Sequence, residues 1–168
     1  MVNDRHTSVR GTLRLQTLTM DGRVAYERSQ HLTLPKNDAI HVYTLPLTDL
    51  LGGEQPEEVF FYITFETSSP QGRTEGGHYY NIAYPLRQKQ MAYKRPNLTI
   101  SCSPTSDGMA VTITTDIFAR AVYLKTKGIC DYFSDNYFDL LPGWTRTIHV
   151  RTSKPYEQFR QELEITSL

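Results

Sequence analysis

Thr12-Leu13-Arg14-Leu15-Gln16, followed by Asp21-Gly22 and then Val24-Ala25-Tyr26, is the stretch on which the fold turns. Leu13 and Leu15 alternate with Thr12, Arg14 and Gln16, the period of two that sends apolar and polar side chains to opposite faces of a strand. Asp21-Gly22 supplies residues that tolerate φ > 0 in a tight turn, and Val24 and Tyr26 resume the alternation beyond it. The stretch therefore predicts two antiparallel strands. Farther along, Val59-Phe60-Phe61-Tyr62-Ile63-Thr64-Phe65 is apolar at both parities and reads as a central strand covered on both faces. Val42-Tyr43-Thr44 reads as a short strand, and the connector from Pro46 to Gly53 has room for one helical turn. Ser68-Ser69-Pro70-Gln71-Gly72 reads as a loop, and Gly76-Gly77 leads into the aromatic run from His78 to Tyr84.

The pattern restarts after Tyr93-Lys94-Arg95-Pro96. Leu98, Ile100 and Cys102 alternate with Thr99 and Ser101, and Asp107-Gly108 makes a second hairpin into Val111 and Ile113. Strands are expected around Val122-Leu124 and Ile148-Val150. Phe159, Gln161, Leu163 and Ile165 read as a last one, with Gln158, Arg160, Glu162 and Glu164 on its wet face. The expectation is an all-β chain of two tandem antiparallel β-sandwiches, the first over residues 1–94 and the second, immunoglobulin-like, over 95–168, with little helix beyond one turn. Charge is shared evenly between the halves, so the boundary rests on the restart of the pattern and on Pro96.

Composition narrows the function classes. The 168 residues carry 18 basic and 18 acidic side chains, so no surplus of Lys and Arg points to nucleic acid or to an anionic membrane as a partner. No run approaches the roughly 20 apolar residues of a membrane span, and Met1-Val2-Asn3-Asp4-Arg5-His6 lacks the basic and apolar segments of an export signal. Eleven Tyr and seven Phe supply enough apolar area for a packed core. Cys102 and Cys130 read as reduced thiols, and His6, His31, His41, His78 and His149 are scattered without ligand spacing. No metal and no cofactor are expected.

One segment is distinctive: Phe133-Ser134-Asp135-Asn136-Tyr137-Phe138-Asp139-Leu140-Leu141-Pro142-Gly143. Ser134-Asp135-Asn136 can bond its own backbone in a turn. Phe138, Leu140 and Leu141 can fasten the following corner to a core, and Pro142-Gly143 can reverse the chain into the next strand. This string resembles the signature of the C-terminal immunoglobulin-like domain of β-mannosidases in glycoside hydrolase family 2. Thr115-Asp116-Ile117-Phe118-Ala119-Arg120-Ala121-Val122-Tyr123-Leu124 is similar to the family's preceding segment. Val2-Asn3-Asp4 with the Leu13 to Tyr26 hairpin, and Tyr79-Tyr80-Asn81 leading to Arg95-Pro96-Asn97-Leu98, look like its penultimate sandwich and the junction. Where the family carries glutamate after Pro-Gly, this chain has Trp144.

The resemblance implies a parent enzyme that releases terminal mannose with retention, using two glutamates on a (β/α)8 barrel that precedes these sandwiches. Such a barrel, typically about 250 residues, cannot lie within this chain. The implied role is a non-catalytic accessory region whose partner is the catalytic barrel of its own parent chain, with β-mannosides or manno-oligosaccharides reached through the parent. That parent is expected in a periplasmic or extracellular setting. No catalytic residue is assigned here. Glu57-Glu58, Asp131 with Asp135, and Glu162 with Glu164 are the carboxylate pairs present, and turns or solvent-facing positions account for them. Tyr79, Tyr80 and Trp144 are the candidates for stacking on a pyranose. Packing between the sandwiches or against the barrel is the competing and simpler account of these rings. A free-standing carbohydrate-binding or adhesion module is the alternative function.

Overall fold

The computed structural model describes residues 1–67, 77–128 and 131–168. The expected loop over Ser68 to Gly72, the glycine Gly76 and the thiol of Cys130 lie outside them. The chain divides into two compact units, one of Met1–Thr19 with Arg23–Ala92 and the other of Met20–Gly22 with Tyr93–Leu168. Both are built from antiparallel sheets, as the all-β expectation required.

In the first unit, β1 (Val2–Asn3) pairs with β4 (Asp38–Ala39). The opening stretch forms a long hairpin of β2 (Val9–Thr19) and β3 (Val24–Leu34). With β5 (Val59–Thr67) and β6 (His78–Ala83) these make a four-stranded sheet in the order β3-β2-β5-β6. The double-sided apolar pattern of β5 is explained by its place inside the sheet: Val59, Phe60, Phe61, Tyr62, Thr64 and Phe65 are all buried. On one sheet face Leu13, Leu34 and Phe65 form a cluster, covered by Ile40, Val42 and Tyr43. Val42-Tyr43-Thr44 is therefore not a strand; it follows β4 as irregular chain that lays side chains on the cluster without joining a ladder. The expected helical turn is α1 (Leu47–Leu50), whose Leu50 carbonyl accepts from the fully buried Thr17 hydroxyl at 2.5 Å.

The second unit contains β7 (Leu98–Thr105), β8 (Gly108–Thr115), β9 (Ala119–Lys125), β10 (Tyr132–Phe133), β11 (Phe138–Leu140), β12 (Thr145–Arg151), α2 (Tyr156–Glu162) and β13 (Glu164–Thr166). Two sheets result, in the orders β10-β12-β8-β7 and β11-β9-β13. Alternate residues from both enter one core: Met109, Val111, Ile113, Ile148 and Val150 from the first, Val122, Leu124, Phe138 and Leu140 from the second. Ile100 keeps the parity of Leu98 and Cys102, opposite the buried Ile113, but lies 43% exposed on the outermost strand.

The last expected strand is corrected more sharply. Phe159 and Gln161 lie in α2, and only Glu164–Thr166 of that run is strand. The period-two count had placed polar Gln161 on the apolar face. Tyr156, Phe159 and Leu163 recur at three and four residues, the helical period, and Pro155 stands where a helix begins. Phe159 is completely buried, and Tyr156 packs against the same core beside it.

Candidate functional site

The three aromatic candidates are divided between the two units. Trp144 lies in the second unit, just before β12, and is 41% exposed. Tyr79 and Tyr80 are neighbours on β6, the outermost strand of the first sheet, and so point to opposite faces. Tyr79 pairs across from Phe65 and lines a groove of about 390 Å³ with Asn3, Arg5, Val9 and Leu34; its hydroxyl accepts from the Arg5 guanidinium at 2.5 Å. Tyr80 is 47% exposed on the other face, with its ring centroid 6.0 Å from Tyr62 and 6.2 Å from His78. Burial, with Tyr80 and Glu66 nearby, pushes the Tyr62 hydroxyl up to about 12, so Tyr62 stays protonated at physiological pH.

The carboxylate pairs are held by separate partners. Asp135 is engaged by Arg146, whose guanidinium also lies 4.4 Å over the Phe138 ring. Asp131 instead accepts from Lys154 Nζ at 2.7 Å and from the Thr126 hydroxyl. Burial raises the Asp131 carboxyl, but hydrogen bonds from Lys154, Thr126 and Thr152 outweigh it and hold it below the usual range. The same Lys154 lies 2.8 Å from Glu162, which is on α2 and largely enclosed, not on the wet face of a strand as expected. Glu164 pairs with Lys125 at 2.8 Å. Glu57 and Glu58 sit in a one-turn 3-10 segment beginning at Pro56. A lone pair of carboxylates poised across a sugar needs one acid kept protonated, whereas Asp131, Glu162 and Glu164 are all held in the ionised form.

The distinctive segment is a corner between the sheets. The Asn136 side chain bridges to β9: its Oδ1 accepts from Leu124 N at 2.7 Å and its Nδ2 donates to Leu124 O at 2.8 Å. Asn136 N in turn donates to Asp135 Oδ1 at 2.7 Å. Tyr137 is carried at φ 59, a left-handed conformation, and stacks on Tyr123 with centroids 4.5 Å apart. Phe138, Leu140 and Leu141 are buried, and Gly143 closes the corner at φ 74, where a side chain would be strained. Asp139 accepts from Ala121 N at 2.9 Å and from Arg120 at 3.0 Å, so each polar residue of the motif has a structural partner.

A family model for a mannosidase Ig/CBM-like domain matches residues 1–80, and one for the mannosidase Ig-fold domain matches residues 93–168. Each half belongs to its own family, residues 1–80 to the mannosidase Ig/CBM-like domains and residues 93–168 to the mannosidase Ig-fold domains. The tandem order is the one implied by the resemblance of the corner motif to family 2 β-mannosidases. Among solved structures, the chain is similar to a β-D-mannosidase from Dictyoglomus thermophilum, with 17% identity and a TM-score of 0.66, covering 99% of this chain and 19% of that one. It is also similar to the exo-chitosanase CsxA of Amycolatopsis orientalis, with 13% identity, a TM-score of 0.47, and coverage of 99% and 24%. The chain thus spans about a fifth to a quarter of the length of these structures. No curated protein matches it.

Several residues of the chain escape a reading of its sequence. Lys154, which gathers Asp131, Glu162 and the Lys127 carbonyl, carries no motif, and its partners lie up to 27 residues away. Tyr62 joins Tyr80 only because β5 and β6 pair in the observed register, whereas His78 neighbours it two residues back along β6. Strand alternation names the face on which a residue lies but not its cross-strand neighbour.

Proposed function

We propose that this chain is the non-catalytic accessory region of an exo-acting β-mannosidase of glycoside hydrolase family 2. Its work is to pack against and support a (β/α)8 domain of the same polypeptide, which carries out the retaining hydrolysis of terminal β-D-mannose. The observation that carries the reading is the match of mannosidase-type domain models to both halves of the chain. The ion-paired carboxylates support the non-catalytic part, because a retaining pair needs two carboxyls about 5–5.5 Å apart in different protonation states.

Two measurements test this. The purified chain is expected to hydrolyse no aryl β-mannoside; turnover that disappears in Asp131→Asn or Glu162→Gln overturns the reading. The reading frame preceding Met1 in the gene is expected to encode a barrel with two glutamates at strand ends, and a frame encoding no such domain overturns it as well.

A further inference from the structure

The sheet of the first unit has a second face, opposite the Leu13–Leu34–Phe65 cluster, and its side chains form a grid. Register places His31, Thr12, Glu66 and His78 in one row across β3, β2, β5 and β6. The next row is Ser29, Arg14, Thr64 and Tyr80, and the third is Glu27, Gln16, Tyr62 and Ile82. Neighbours along each row are about 4.8 Å apart, and rows of one face repeat about every 7 Å along the strands. The polar members are tied to one another: Thr12 Oγ1 to His31 Nδ1 at 2.9 Å, Gln16 Nε2 to Glu27 at 2.7 Å, Arg14 to Glu27 at 3.9 Å and His78 to Glu66 at 3.8 Å. At the β6 end stands Tyr80, half exposed, flanked by His78 and backed by Tyr62.

We infer that this face binds an oligosaccharide of the manno-oligosaccharide class, with Tyr80 stacking on one pyranose and the Arg14, Gln16 and Glu27 group hydrogen-bonding hydroxyls of the chain beside it. The choice of ligand follows from the side chains. A pyranose offers C–H faces to an aromatic ring and vicinal hydroxyls to planar polar groups, and this surface presents one ring beside amide, guanidinium, carboxylate and imidazole groups. The Gln16–Glu27 and Thr12–His31 hydrogen bonds orient those side chains before a ligand arrives, which lowers the cost of ordering them. A protein partner would instead call for buried aliphatic and aromatic anchors, and Tyr80 is the one large apolar side chain that the three rows leave substantially exposed among the described residues. The class of sugar rests on the proposed β-mannosidase reading; the site itself rests on the grid.

The test is calorimetry or affinity electrophoresis of the full chain with β-1,4-linked mannobiose and mannotriose, with cellobiose and cellotriose as comparison. Wild type is expected to bind a manno-oligosaccharide with a dissociation constant of about 1 mM or tighter. Tyr80→Ala and Arg14→Ala are expected to weaken that binding roughly five- to tenfold or more, with unchanged thermal midpoints. Tyr79→Ala, on the opposite face, is expected to leave it unchanged. Absence of binding at roughly 10 mM sugar overturns the inference, as does binding that survives Tyr80→Ala or that is lost equally in Tyr79→Ala. A grid that binds no sugar but whose Arg14→Ala and Tyr80→Ala variants lose association with the parent's barrel is a protein interface, and that result also overturns it. Tighter binding of the cello-oligosaccharides keeps the site and overturns the sugar class. The proposed accessory role survives each of these failures, since it is read from hydrolysis and from the gene.

Discussion

Asn136 shows how one side chain can set a corner. Its amide completes both main-chain groups of Leu124, twelve residues earlier, at 2.7 and 2.8 Å. Asn136→Ala removes a donor and an acceptor together and leaves two partly buried backbone groups to find water, so a loss of about 1–3 kcal/mol is expected. Urea unfolding should show a lower midpoint with an unchanged slope. Ala121 and Tyr137 pose the opposite question, because both hold left-handed φ, at 48 and 59. A residue with a Cβ costs about 1–2 kcal/mol there, against about 0.5–1 kcal/mol of extra backbone entropy for glycine. Ala121→Gly is therefore expected to raise stability by about 0.5 kcal/mol, measured in the same way. The motif itself was legible from its residue types, since Asp and Asn suit turns and Pro142-Gly143 suits a reversal. What the string could not disclose is that Asn136 reaches across to another strand instead of serving only its own turn; that requires β9 to be in place.

At the level of elements, α2 is the clearest departure from the strand reading, and its two attachments differ in kind. Phe159 is wholly buried in the core cluster, and Phe159→Ala is expected to cost about 3–5 kcal/mol in chemical denaturation. The second attachment is electrostatic. Lys154 Nζ meets Asp131, Glu162 and the Lys127 carbonyl, joining the segments on either side of the corner to the helix. Hydrogen bonds from Lys154 hold Glu162 below its ordinary 4.5, and they contribute, against burial, to holding Asp131 below 3.8. Hydrogen bonding to the two carboxylates raises Lys154 above 10.5. Depressed carboxylates stabilise the fold above their unfolded values and lose that contribution as pH falls through the folded ones. The raised ammonium contributes fully below 10.5 and loses its share as pH climbs through its folded value. Burial raises the Cys102 thiol above 9.0 as well, so denaturation midpoints are expected to be level between pH 4.5 and 9.0 and to decline on either side. Lys154→Met should lower the plateau and flatten the acid limb; an unaltered acid limb would show that other carboxylates govern it. The two glycine hairpins were readable because local chemistry decides them, whereas α2 was masked by a run whose apolar residues fit either period over so few positions.

On the scale of the whole chain, alternation and two turn signals sufficed for two all-β units, because sheet faces must separate water from core wherever they lie. The functional surface was less accessible: of the three aromatic candidates only Tyr80 stands on the polar grid, and its companions Arg14 and Glu27 are common residues that acquire meaning from register alone. Recombinant chain is expected to be inert toward aryl β-mannosides across the pH range in which it stays folded, a point checked by running hydrolysis and circular dichroism on the same samples. A practical consequence follows from β7, eight residues long, outermost in its sheet and devoid of charge, with Ile100 exposed. Such a margin invites a neighbouring molecule to extend the ladder. Pro104 interrupts its row of amide donors near the hairpin end and the Tyr156 hydroxyl of α2 occupies the Cys102 carbonyl at 3.4 Å, leaving Leu98 to Ser101 as the portion through which concentrated preparations would polymerise.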